Sequence, residues 1–192
     1  AGTINYSAGL PMAGILLALV QDGVPVIGLT WLPLTGQRFA AVEGGPLLYN
    51  GEPAERLAPA RLEDVMIAVG SFDIDSRGRV PGARRLAVIT ELSRRVARLR
   101  MHGSTGVDLA YTASGSLGGA VVFGHHPWDN AAGVVLVRAA GGLATDFAGE
   151  RWKIGSGSVL AAAPGVHGDI LDIVQSATGQ SETDARFEGD SS

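Results

Sequence analysis

Residues 127–142 read Pro-Trp-Asp-Asn-Ala-Ala-Gly-Val-Val-Leu-Val-Arg-Ala-Ala-Gly-Gly, and this stretch limits the fold more tightly than any other. Proline suits the first turn of a helix, where its missing N–H costs nothing, and the apolar run Val134 to Val137 continues to a Gly141-Gly142 stop. The pattern predicts a helix from about Pro127 to Ala140. Asp129 then falls in its first turn, where free backbone N–H groups and the helix dipole favour a charged carboxylate. An oxygen held there suits a hard metal ion. Ala131, Ala132 and Gly133 permit close approach of other backbone, and Trp128 is expected as a large apolar anchor that sets the acid into the core.

The chain before this helix divides in two. Gly2 to Ser7 reads as a loop turning into a short helix. Ala13 to Val20 and Val24 to Trp31 are apolar runs around Gln21-Asp22-Gly23, and Asp-Gly between such runs signals a hairpin. Strands at Arg38 to Val42 and Leu47 to Gly51 extend it into an antiparallel meander, followed by a surface loop from Glu52 to Leu62. Val65 to Val69 is a buried strand in prospect. Leu86, Ile89, Leu92 and Val96 keep helical spacing within residues 83–99, so Arg84, Arg85, Arg94, Arg95 and Arg98 are assigned to a solvated face. Leu99 to His102 predicts a strand, and Thr105-x-x-Asp108 a capping-box-like start to a helix ending near Ser114. Strands at 119–123, 142–146 and 159–163 and a helix at 166–176 complete an alternation that implies α/β layering. Residues 177–192 are polar without a core pattern and read as a disordered acidic tail beyond a 1–176 domain.

Composition narrows the class of partner. The net charge of −4 gives no basic field for nucleic acid, and the longest apolar runs are too short to cross a bilayer. The absence of cysteine excludes disulfides and thiolate metal sites and fits a cytoplasmic setting. With 28 glycines, many tight turns and close backbone contacts are expected. His125 and His126, adjacent in sequence, are expected in a surface loop and not in one coordination sphere, and Asp73 and Asp75 in a polar loop.

Two motifs carry a resemblance. Trp128-Asp129-x-Ala131-Ala132-Gly133 resembles the second signature of the inositol monophosphatase family, Mg²⁺-dependent phosphatases of sugar and polyol phosphates. Gly2-Thr3-x-Asn5-Tyr6 resembles the end of that family's first signature, D-P-x-D-G-T-x-N-[FY]. Asp22 to Val26 and Arg100 to Gly106 are similar to its actinobacterial branch. The resemblance implies a layered α/β/α/β/α fold, here without its leading helices and metal-bearing hairpin, and a homodimer when full length. It further implies that Gly2 and Thr3 hold the phosphate, with the Thr3 hydroxyl near the nucleophilic water. Asp129 takes a Mg²⁺-ligand position and lies near a substrate hydroxyl. Gly103, Ser104, Thr105 and Ser71 match contacts to the polyol. The substrate implied is a small-molecule phosphate monoester such as inositol 1-phosphate.

Three departures bear on activity. Ala1 stands where the family has an aspartate, and the chain opens inside the motif without Met, so an upstream part is expected to be missing. A single carboxylate does not hold a catalytic Mg²⁺ cluster, and the chain alone is expected to be inactive. Val122 and Gly118 occupy positions where relatives carry acids, leaving a less polar polyol pocket. A rival reading is a non-catalytic sugar-phosphate binding or regulatory module.

Overall fold

The computed structural model describes residues 1–178. A five-residue helix α1 (Thr3–Ser7) precedes strands β1 (Ile15–Gln21), β2 (Val24–Leu32), β3 (Gln37–Val42), β4 (Leu48–Tyr49) and β5 (Glu52–Pro53), which form one antiparallel meander in sequence order. The β1–β2 turn is the predicted Asp22-Gly23, with φ of 50° and 78°. Positive φ at both central residues twists the turn in the sense the strands require.

The second sheet runs in the order β7-β6-β8-β10-β9, from β6 (Met66–Val69), β7 (Arg98–Arg100), β8 (Gly119–Val122), β9 (Leu143–Thr145) and β10 (Val159–Ala162). The pairs β6–β7 and β6–β8 are parallel, whereas β10 is antiparallel to both neighbours. Helices α2 (Gly82–Arg95), α3 (Thr105–Ala113) and α4 (Pro127–Ala139) lie between these strands in the chain, and α5 (His167–Thr178) follows β10. Alternation along the strands sorts the helices onto two faces. Ile67, Val69, Val121, Leu160 and Ala162 pack with Val88 and Leu92 of α2 and Ile170 and Val174 of α5. Ala68, Ala120, Val122, Val159 and Ala161 pack with Leu109 of α3 and Val135 of α4. The layers are therefore sheet, α3 with α4, sheet, α2 with α5, the last four of the five expected.

The outer face of the meander is bare among the described residues: Ile15, Leu17, Leu19, Leu29, Trp31 and Val42 are all exposed. Its inner face receives α4 through Gly28, where a Cβ would stand 2.3 Å from the Ala132 carbonyl oxygen. On the other side of α4, a Cβ at Gly133 would stand 2.3 Å from the Leu109 Cβ. Glycine at both points lets the layers approach closely, backbone on backbone at Gly28 and the Leu109 side chain on the helix backbone at Gly133.

Some boundaries differ from the sequence reading. The expected surface loop 52–62 contains β5 and is tied down, with Leu57 N–H donating to Ala140 O at 2.8 Å and Leu62 buried. Helix α5 extends to Thr178, and the rest of the expected tail lies outside the described residues. Trp128 is 69% exposed and anchors nothing in the core; it stacks on His126 with centroids 4.8 Å apart. Trp31 is also exposed, which leaves Trp152 as the buried tryptophan.

Two outcomes are expected. Gly28→Ala forces backbone apart at Ala132 and should cost about 1–3 kcal/mol by chemical denaturation, a fall of several degrees in Tm at roughly 2–4 °C per kcal/mol. His167 is buried with Nε2 2.9 Å from Thr145 Oγ1, and burial lowers its pKa below the ordinary 6.5. The unfolded chain protonates first, so stability is full above pH 6.5 and falls as the pH drops through the folded value. His167→Gln should flatten that acid limb in Tm measured against pH.

Candidate functional site

Ser104 is where the chain's separate starts meet. It precedes α3, is 4% exposed, and its hydroxyl is buried without a hydrogen-bond partner. Gly2 lies behind it. Its φ of 83° is left-handed, and a Cβ there would fall 3.1 Å from Ser104 Oγ and 2.4 Å from Met12 O, so only glycine fits. Ala1 O accepts from Gly14 N–H at 3.1 Å, which holds this opening segment along residues 12–14.

Asn5 locks α1 to the same place. Its side-chain Nδ2 donates to Met12 O at 2.8 Å and to His102 O at 2.6 Å. A Cβ at Gly103 would be 3.4 Å from Asn5 Oδ1, so the loop and the amide lie in contact. Two hydrogen bonds, each worth about 1 kcal/mol net, tie Asn5 to the chain seven residues on and to a loop 97 residues away in sequence. Asn5 is thus a clamp between α1, residue 12 and the loop before α3.

Asp108 corrects another expectation. Ser104 and the Thr105-x-x-Asp108 pattern suggest side-chain caps, yet the start of α3 has no side-chain cap bond. Asp108 is buried, and its Oδ1 lies 2.6 Å from His102 Nδ1. Burial pushes the Asp108 carboxyl above its usual range, and the bond to His102 pulls it part of the way back. The His102 ring rests edge-on against Tyr111, centroids 6.1 Å apart. Backbone and ring of His102 are thereby fixed from two sides.

The sequence-selected residues fall into two hollows. Gly2 and Thr3 line one of about 390 Å³ with Tyr6, Gly14 and Leu34, and Thr3 is exposed. Ser71, Thr105 and Asp129 line the other, of about 200 Å³, together with Val122, His126 and Asn130. Ser104 links them, touching Gly2 on one side and adjoining Thr105 on the other; Gly103 faces Asn5 and lines neither. Asp129 sits half-buried in the first turn of α4, beside free backbone N–H groups. Val122 supplies the expected apolar wall, and Gly118 has no room for an acid, because a Cβ there would stand 2.4 Å from Val65 Cβ.

Two residues of the second hollow escaped the sequence reading. Asn130 is buried and donates from Nδ2 to Gly124 O at 3.2 Å, which fixes the loop before α4. Arg85, assigned to a solvated face, turns inward. Its Nε donates to Val80 O at 2.8 Å and its guanidinium lies 5.2 Å from the Phe123 ring centroid. The aromatic face and the loop carbonyl draw this one arginine towards the hollow. Its helical position gave no such signal. His125 and His126 are exposed, their rings tilted against each other with centroids 4.7 Å apart, in the surface loop expected of them.

Among the described residues no group of three or more His, Asp or Glu could hold a metal ion. Among the described residues Asp129 is the only carboxylate lining either hollow. A hard dication takes about six oxygen ligands, so residues 1–178 by themselves do not fit a catalytic Mg²⁺ cluster.

Asn5→Ala should leave Met12 O and His102 O without their donor at a cost of about 1–3 kcal/mol. Hydrogen exchange at the Gly103 and Ser104 amides is expected to accelerate about tenfold or more. Exchange unchanged at both amides would show that the clamp does not order the loop.

The model of the inositol monophosphatase family matches residues 1–178. The inositol-1-monophosphatase ImpA of Mycolicibacterium smegmatis is 59% identical over 181 residues, 94% of this chain and 65% of that protein. The fructose-1,6-bisphosphatase/inositol-1-monophosphatase of Thermotoga maritima is 31% identical, over 90% of this chain and 64% of that protein. The solved inositol monophosphatase of Anabaena superposes with a TM-score of 0.83 at 28% identity, over 91% of this chain and 70% of that one. The chain thus spans about two thirds of the length of the curated relatives it matches, 64–65% for these two.

Proposed function

The chain belongs to the inositol monophosphatase family, and on that premise we propose that the whole protein hydrolyses the phosphate monoester of a sugar or polyol, inositol 1-phosphate foremost, with Mg²⁺. The observation that carries this reading is the buried, unpartnered Ser104 hydroxyl between Gly2 and the Asp129 hollow. A buried hydroxyl without a partner is costly unless a ligand completes it. The backbone at Gly2 and Thr3 receives the phosphate, with the Thr3 hydroxyl beside it. Thr105 and Ser71 contact the polyol, and the Asp129 carboxylate accepts from a substrate hydroxyl.

The metal-borne chemistry needs carboxylates in addition to those of residues 1–178, where Asp129 is one proposed Mg²⁺ ligand and Ala1 supplies none. The chain alone is accordingly proposed to bind and not to turn over substrate. Val122 makes the pocket wall apolar, while Arg85 adds a cation beside it, a pairing that suits a sugar phosphate bearing further anionic groups. Fructose bisphosphate therefore belongs beside inositol phosphate among the substrates to compare. A homodimer and a cytoplasmic setting are proposed of the whole protein by family habit; among the described residues, no helix is long and apolar enough to cross a membrane.

The test is phosphate release from a panel of polyol phosphates at millimolar Mg²⁺. This chain should release none, and a version extended upstream with Ala1→Asp should be active. Asp129→Asn in the extended protein should lower kcat by about 10²-fold or more. Full activity in that variant would contradict the assignment of Asp129. No activity in either protein, with inositol 1-phosphate still raising Tm, would favour the binding module.

A further inference from the structure

The opposite end of α4 opens on a larger cavity, of about 540 Å³, that none of the chemistry above uses. Arg138 stands in the last turn of α4, nine residues beyond Asp129. At ~1.5 Å per residue that places the two roughly 14 Å apart along the helix. Arg56 and Arg151 complete a trio of guanidinium groups around the cavity, and Glu43 is the single acid among the lining residues. That carboxylate is already taken, paired with Arg151.

Part of Arg138 has a structural task. Its Nη2 donates to Ala144 O at 3.2 Å and to Trp152 O at 2.8 Å, which pins β9 and the segment after it to the helix end. A cation there also complements the helix dipole. This role uses one nitrogen, and Nη1 remains buried with no hydrogen-bond partner. Burial, with the neighbouring Arg151 adding to it and Glu43 opposing it, lowers the Arg138 pKa to about 10. Arg56 lies across Gly141, where a Cβ would fall 2.8 Å from its Nη2, and it makes no ion pair among the described residues. A staple for β9 requires neither Arg56 nor Arg151.

We infer that this cavity is a second anion site, separate from the Asp129 hollow, that binds a small multivalent oxyanion between Arg56, Arg138 and Arg151. Three cations against one carboxylate leave an excess of two positive charges. A dianion or trianion matches that excess, whereas chloride does not. Guanidinium forks address planar carboxylates and phosphate oxygens in the same bidentate manner. Gly44, Gly45, Gly142 and Gly149 contribute no side chains to the walls, which leaves room for a metabolite larger than a bare ion. The phosphate and the polycarboxylate classes share this chemistry.

The experiment is a calorimetric and amide-shift titration of the chain with sodium pyrophosphate and, separately, with citrate, at low ionic strength and with a chelator to exclude metal effects. Binding is expected at about millimolar concentration or tighter, with shifts concentrated at Gly142 to Thr145. Arg56→Gln and Arg151→Gln, both at exposed side chains, should each weaken it about fivefold or more. Arg138→Gln should abolish it, while Ser104→Ala and Asp129→Asn should leave it unchanged. Tighter binding of pyrophosphate identifies the phosphate class, and tighter binding of citrate the polycarboxylates. The inference is overturned by no binding of either anion, by shifts at Gly103 to Thr105 alone, or by affinity indifferent to Arg56→Gln and Arg151→Gln. Should Arg138→Gln fail to fold, the two exposed variants decide the matter.

Discussion

The close approach of α4 to its neighbours, through Gly28 on the meander side and Gly133 on the α3 side, is the constraint on which the rest of the molecule depends. With no side chain at either point, backbone meets backbone at Ala132 and Leu109 packs directly onto the helix. The middle of α4 is consequently buried all round, and the helix has no freedom to rotate. Its two ends inherit that rigidity. Asp129 at one end and Arg138 at the other are carried by a single rod, and the guanidinium is held further by its bonds to Ala144 O and Trp152 O.

The opening segment reaches the site by a different means. Helix α1 has five residues, none of them buried, and such a helix does not hold itself in water. Asn5 supplies what length does not, by donating to carbonyls on both Met12 and His102. The Asp108–His102 contact then fixes the far side of the same loop. Ser104 ends up buried between two independently anchored segments, which is how a hydroxyl comes to lie without a protein partner.

Much of this is legible in the residues, and what is not has a common physical cause. The α4 boundaries follow from Pro127 and Gly141-Gly142, and the first hairpin from Asp22-Gly23, because those signals are local. Asp108 reads as a cap from its spacing, yet it pairs with His102, a part-buried histidine that approaches from outside the helix. Trp128 reads as core because it is large and apolar, but the core side of α4 is set by Gly28 and Gly133, and Trp128 faces away. Arg85 is one arginine among several on its helix; only the fold places Phe123 beneath it. The trio Arg56, Arg138 and Arg151 is scattered over the chain and has no pattern in the sequence at all. Local chemistry is readable, whereas contacts between layers require the layers.

The central claim is that Gly2, Ser104 and Asp129 surround one ligand. A crystal structure of the chain with inositol 1-phosphate bound tests it most directly. The account predicts the phosphate group against the backbone of Gly2 and Thr3, Ser104 Oγ within hydrogen-bonding distance of the ligand, and a ring hydroxyl on the Asp129 carboxylate. A ligand seated away from Ser104, with the Ser104 hydroxyl still unpartnered, would contradict it.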